Sequence, residues 1–91
     1  MLTIYSKTVC SYCVNAKNYL KAKDIPFREI NIEQDARARE FIQSQGLRTV
    51  PQIFMDGKIF VEGGWSGLSK MSAEEIRSEI DLRNSLADQT L

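Results

Sequence analysis

Leu2-Thr3-Ile4-Tyr5-Ser6-Lys7-Thr8-Val9-Cys10-Ser11-Tyr12-Cys13 opens the chain and changes character halfway along. Leu2 to Tyr5 is short and β-rich and reads as a buried strand. Ser6 to Val9 is a polar connection. From Ser11 to Lys23 the spacing turns helical: Cys13, Ala16 and Leu20 share one face, while Lys17, Lys21 and Lys23 fall mostly elsewhere. Asp24-Ile25-Pro26 ends this helix, because the residue before a proline disfavours the helical region. Both cysteines therefore lie where a first strand feeds a first helix.

Working outward, Phe27 to Ile32 alternates in the manner of a strand. Asp35 to Gln45 carries Ala38, Phe41, Ile42 and Gln45 at helical spacing, with Gly46 as a stop. Gln52 to Met55 reads as a strand, Asp56-Gly57 as a two-residue hairpin turn and Lys58 to Val61 as the returning strand. Gly63-Gly64 breaks the sheet. A last helical region spans about Ser66 to Leu86, and Ser72 with Glu75 forms a capping box that predicts a break near Ser72. Ser78 to Leu91 reads as helix with a frayed polar end and a solvated charged face. The order β-α-β-α-β-β-α implies a right-handed parallel crossover plus an antiparallel edge, an α/β fold with a small mixed sheet flanked by helices. A chain of 91 residues is expected to form a single domain over 1–91.

Composition narrows the function classes. Twelve basic residues balance twelve acidic ones, which argues against a nucleic-acid binder that works by neutralising phosphates. No apolar run of about 18 residues is present, so no membrane span is expected. The N-terminus enters a strand pattern at once and shows no signal-peptide pattern, which predicts a cytoplasmic location. Only two cysteines occur, both in one tetrapeptide. A disulfide there closes almost no loop and adds little stability through chain entropy.

Position makes this pair reactive. A helix N-terminus carries positive partial charge and free backbone N–H groups, which favour a thiolate over a thiol. Cys10 falls at or just before the first turn. Cys13, one turn in, is near enough to bond with it and is expected to be more buried. Lys7, three residues upstream, is expected to add positive charge near the Cys10 sulfur. The pattern points to thiol–disulfide exchange, in which Cys10 attacks and Cys13 or an external thiol resolves the mixed disulfide. Zinc needs four ligands, and the chain has no histidine and no third cysteine, so an intrachain zinc site is poorly supported.

Two further stretches stand out. Thr49-Val50-Pro51 opens the third strand, where a missing N–H is tolerated. A trans proline marking a strand start is the plain reading. A cis bond would instead turn the Val50 backbone toward the cysteines, to pair with an extended substrate. Gly63-Gly64-Trp65-Ser66-Gly67 allows close backbone approach and precedes a helix start that offers N–H groups to an anion. Trp65 suits either the core or an exposed docking surface beside the cysteines.

Together these blocks resemble the glutaredoxin family, from Leu2 to about Met71. The resemblance rests on Lys7 with Cys10-Ser11-Tyr12-Cys13, on Thr49-Val50-Pro51-Gln52-Ile53-Phe54 and on Gly63-Gly64. It implies a thioredoxin-like fold with a four-stranded sheet and Pro51 in cis. It also implies Cys10 as nucleophile, Cys13 as resolving thiol and glutathione as electron donor or as the group removed. Lys7 and Tyr12 would bind the glycine and cysteine portions of glutathione, and the main chain of Thr49-Val50-Pro51 its cysteinyl part. Gly64, Trp65 and Ser66 would bind its γ-glutamyl end. The expected partners are disulfide-bonded or glutathionylated proteins, and the expected state is a monomer.

Some residues depart from the family pattern. Trp65-Ser66-Gly67 offers no carboxylate where the family usually holds the glutamyl amine. Ala38 occupies a second-helix position that is often Gln or Arg, although Arg37 and Arg39 flank it. Trp65-Ser66-Gly67-Leu68 also resembles a sister group, the redoxins that supply ribonucleotide reductase and are recharged by thioredoxin reductase. Ser69-Lys70-Met71 lacks the Arg-Pro-Asp run that follows in that group. Ser11 between the cysteines, where proline is commoner, resembles glutaredoxins that hold a [2Fe–2S] cluster between two subunits. Cys10 and a glutathione thiol from each would then be the ligands.

Overall fold

The computed structural model describes residues 1–88. Eight elements follow in order: β1 (Leu2–Ser6), α1 (Ser11–Ala22), β2 (Phe27–Asn31), α2 (Ala36–Ser44), β3 (Gln52–Met55), β4 (Lys58–Val61), α3 (Gly64–Leu68) and α4 (Ala73–Asp88). The strands form one sheet in the order β2-β1-β3-β4. β1 and β2 are parallel, with Leu2 opposite Phe27 and Ser6 opposite Asn31. β3 runs antiparallel to β1, and β4 antiparallel to β3. This is the expected four-stranded mixed sheet with flanking helices.

Helices cover both faces, which explains why all of β1 is buried and reads as an unbroken run rather than an alternation. Leu2 and Ile4 point into the larger core with Ala16, Leu20, Ile53, Met55, Phe60, Leu68 and Ile76. Tyr5 points the other way and packs with Ala38, Ile42 and Phe54 under α2. The Tyr5 and Phe54 rings meet edge to face at 5.5 Å, a geometry that aromatic quadrupoles favour.

Most boundaries differ from the expected ones by a residue. α1 ends at Ala22 because Lys23 has left the helical region and Asp24 is left-handed at φ 55°. β2 ends at Asn31, whose side chain turns back to accept from the Glu33 amide. Asp35 and Gln45 are the caps of α2, not its ends, and Asp35 accepts from the Ala38 amide at 3.0 Å.

The region expected as helix from Ser66 resolves into two helices. α3 starts two residues earlier, at Gly64, because Gly63 in the left-handed conformation turns the chain into it. The Ser72–Glu75 capping box is present, each side chain accepting from the other residue's amide. The expected frayed end of Ser78–Leu91 falls partly on residues 89–91, outside the described residues. On α4, Arg83 pairs with Glu79 and donates to the Ile59 and Phe60 carbonyls of β4. Among the described residues no helix is long and apolar enough to cross a membrane.

Candidate active site

β1 and the start of α1 place the two cysteines. Cys10 is the N-cap residue of α1, extended at φ −154° and ψ 98°. Its sulfur accepts from the Cys13 amide at 3.1 Å, which satisfies one of the helix's free N–H groups. The two sulfurs are bonded, with Cα atoms 5.2 Å apart. Cys10 is half-buried while Cys13 is 1% exposed. Only the first sulfur can meet a large partner.

Opposite the pair, the Val50–Pro51 peptide bond is cis. The Val50 carbonyl oxygen stands 3.8 Å from the Cys10 sulfur. Gln52 fastens this loop from below: buried in β3, its amide donates to the Thr49 carbonyl and hydroxyl at 3.0 and 3.3 Å. In the sequence Gln52 stands out only as part of the block that carries the family resemblance, because a glutamine opening an apolar strand carries no signal of its partner.

A groove of about 490 Å³ runs beside the cysteines. Seven residues expected from sequence line it: Tyr12, Thr49, Val50, Pro51, Gly64, Trp65 and Ser66. No charged side chain lines it. Gly64 closes it at one side. A Cβ there would sit 2.5 Å from the Pro51 carbonyl oxygen, and Gly64 is left-handed at φ 57°. Only glycine lets α3 begin this close to the proline loop.

The whole arrangement, a strand-fed helix capped by a reactive cysteine and facing a cis-proline loop, matches known proteins. The family model for glutaredoxin matches residues 2–61. This chain belongs to the glutaredoxin family. It is 45% identical to glutaredoxin 3 of Escherichia coli K12 over 56 residues, which is 60% of this chain and 68% of that one. It is 35% identical to the glutaredoxin-like protein NrdH of Lactococcus lactis over 72 residues, 79% of this chain and 100% of that one. Its fold superposes on the crystal structure of a buckwheat glutaredoxin–glutathione complex with a TM-score of 0.69. That superposition covers 88% of this chain and 76% of the other at 28% identity. The chain is thus a glutaredoxin-family oxidoreductase with a thioredoxin-like fold and a redox disulfide.

Within this glutaredoxin fold, Trp65 meets both sequence-based readings. It packs against the core and lines the groove. Tyr19 on α1 sets it: the rings meet edge to face at 5.3 Å, and the Tyr19 hydroxyl donates to the Met71 carbonyl at 2.7 Å. Lys7 is exposed and is not among the residues lining the groove, and its charge acts weakly on the Glu33 carboxylate.

A second groove, about 520 Å³, lies between α2 and the segment leading to Thr49, with Ile42 and Leu47 on its floor and Arg39 and Arg48 at its rim. Thr49 belongs to both grooves. Among the described residues no three His, Cys, Asp or Glu stand together to hold a metal ion.

Proposed function

We propose that this glutaredoxin is a glutathione-coupled dithiol oxidoreductase that reduces protein disulfides and glutathione mixed disulfides as a single-domain, cytoplasmic monomer. The observation that carries this reading is the Cys10 sulfur, a cap of the helix N-terminus, backed by a buried Cys13 and 3.8 Å from the Val50 carbonyl that lines an open groove.

The reaction balances over two exchanges. In the reduced protein the helix N-terminus favours the Cys10 thiolate. It attacks one sulfur of a disulfide, forms a mixed disulfide and releases the other sulfur as a thiolate, which water protonates. The Cys13 sulfur, after losing its proton, attacks Cys10 and releases the second thiolate. The target has gained two electrons and the Cys10–Cys13 bond holds the oxidising equivalents. Two glutathione thiols then reopen that bond in two further exchanges and leave as glutathione disulfide.

Substrate roles follow from position. Val50 offers main-chain pairing to an extended cysteinyl segment, as an added strand would. Thr49 and Pro51 shape that segment's path and Tyr12 forms the rim. Gly64, Trp65 and Ser66 wall the far end. Lys7 serves a carboxylate from outside the groove.

Two observations favour a second reading, a redoxin that supplies ribonucleotide reductase and is recharged by thioredoxin reductase. The groove carries no charge to hold glutathione's glutamyl ammonium, and the likeness to the Lactococcus protein spans that protein's whole length. The deciding experiment oxidises the protein and follows thiol recovery with glutathione, and separately with thioredoxin reductase and NADPH. Recovery with glutathione supports the first reading. Recovery only with the reductase overturns it in favour of the second.

A further inference from the structure

The loop that carries the nucleophile is fastened from one side, and the fastener is charged. Lys7, Thr8 and Val9 are exposed and join β1 to Cys10. The Thr8 amide donates to the Glu33 carboxylate at 2.7 Å. The Thr8 hydroxyl accepts from the Asn31 amide at 3.2 Å, and the Asn31 oxygen accepts from the Glu33 amide at 2.8 Å. This ring of contacts ties the nucleophile's loop to the end of β2.

Two carboxylates serve the loop, and they differ. Glu29 accepts from the buried Ser6 hydroxyl at 2.6 Å, and Lys17 meets its charge at 2.9 Å. Glu33 has no ion-pair partner within 4 Å among the described residues. The Thr8 amide, and more weakly Lys7, hold it in the ionised form. Its negative charge therefore has no ion-pair contact among the described residues and is held at the amide of Thr8, which lies two residues before Cys10.

We propose that Glu33 is a positioning and specificity-determining residue: it holds the Thr8 amide and sets a negative charge beside the mouth at Cys10 that disfavours anionic disulfides. The proposal rests on the reading of Cys10 as nucleophile. Two residues span at most about 7 Å; with the Cys10 side chain and the substrate's own length added, a disulfide attacked at Cys10 brings its charges within roughly 20 Å of Glu33. At about 0.01 M salt that is within one Debye length of about 30 Å, and like charges at such separations in water change a rate by up to about twofold.

The test compares pre-reduced wild type, Glu33→Gln and Glu33→Ala in single-turnover reduction of two disulfides. One is the mixed disulfide of glutathione with a small neutral thiol; the other is the same compound with both carboxylates esterified. Glu33→Gln keeps an oxygen for the Thr8 amide and loses the charge. It is expected to speed the anionic disulfide by up to about twofold at low salt without speeding the ester. The gain should shrink at about 0.5 M salt. Glu33→Ala, which loses the acceptor too, should slow both relative to Glu33→Gln. A Glu33→Gln variant with an unchanged ratio of the two rates, or a gain indifferent to salt, overturns the specificity role. Equal rates for the Ala and Gln variants overturn the positioning role. A wild type that reduces neither compound fails the reading of Cys10 instead, so the failures are distinct.

Discussion

Gly64 and Pro51 touch so closely that the smallest side chain on one would collide with the carbonyl oxygen of the other. This contact sets the width of the groove beside the cysteines, because Gly64 opens α3 and Pro51 immediately precedes β3. Gly64→Ala forces the two apart and places alanine at positive φ. It is expected to cost about 1–3 kcal/mol and lower the melting temperature by several degrees, with a raised KM for disulfide substrates. Calorimetry and steady-state kinetics read the two effects. A variant as stable and active as wild type would mean the contact is slack.

The cysteines divide their labour by burial. Cys10→Ser removes the accessible sulfur and should abolish reduction of glutathione mixed disulfides. Cys13→Ser leaves that sulfur in place and should retain this activity while losing reduction of protein disulfides that need both thiols. Assays with each substrate class check this; activity in the Cys10 variant would reverse the assignment.

Glutathione's glutamyl ammonium finds no carboxylate in the groove. Ser66 is exposed on its wall and can carry one. Ser66→Asp is expected to lower the Michaelis constant for glutathione by about two- to tenfold, as a partly exposed charge-assisted hydrogen bond would. The neighbouring Gly67 cannot share this role, since a Cβ there would collide with the Glu62 carbonyl oxygen. An unchanged constant would place the glutamyl end elsewhere.

Acid should loosen the loop before the nucleophile. Hydrogen bonds from Ser6 and then Lys17 hold the Glu29 carboxyl below its ordinary value of 4.5. The Thr8 amide does the same for Glu33. A depressed carboxylate contributes stability that is present above the ordinary value and lost as pH falls through the folded one. Melting temperature should therefore decline below about pH 4.5, and Glu29→Gln should flatten that decline. An equally steep fall in the variant would assign the acid sensitivity to other groups.

Much of this was legible in the chain. β3, the Asp56-Gly57 turn and β4 stand where the turn chemistry puts them, because local geometry dictates a two-residue hairpin. The reactive pair was legible because its chemistry depends on one helix terminus. Contacts made across the fold were not. Tyr19 carries nothing in its neighbours to say that it props Trp65 some 46 residues on (65 − 19), nor Glu33 that it meets the Thr8 amide. Whether Trp65 faced inward or outward had no local answer, and the fold gives it both faces.

Trp65 is the chain's single tryptophan, and it forms part of the wall beside the reactive pair. Ultraviolet emission excited selectively from indole therefore originates at one address. Occupancy of the cleft, opening of the sulfur–sulfur bond and displacement of the short helix each alter that one fluorophore's surroundings, so turnover can be watched in unlabelled protein.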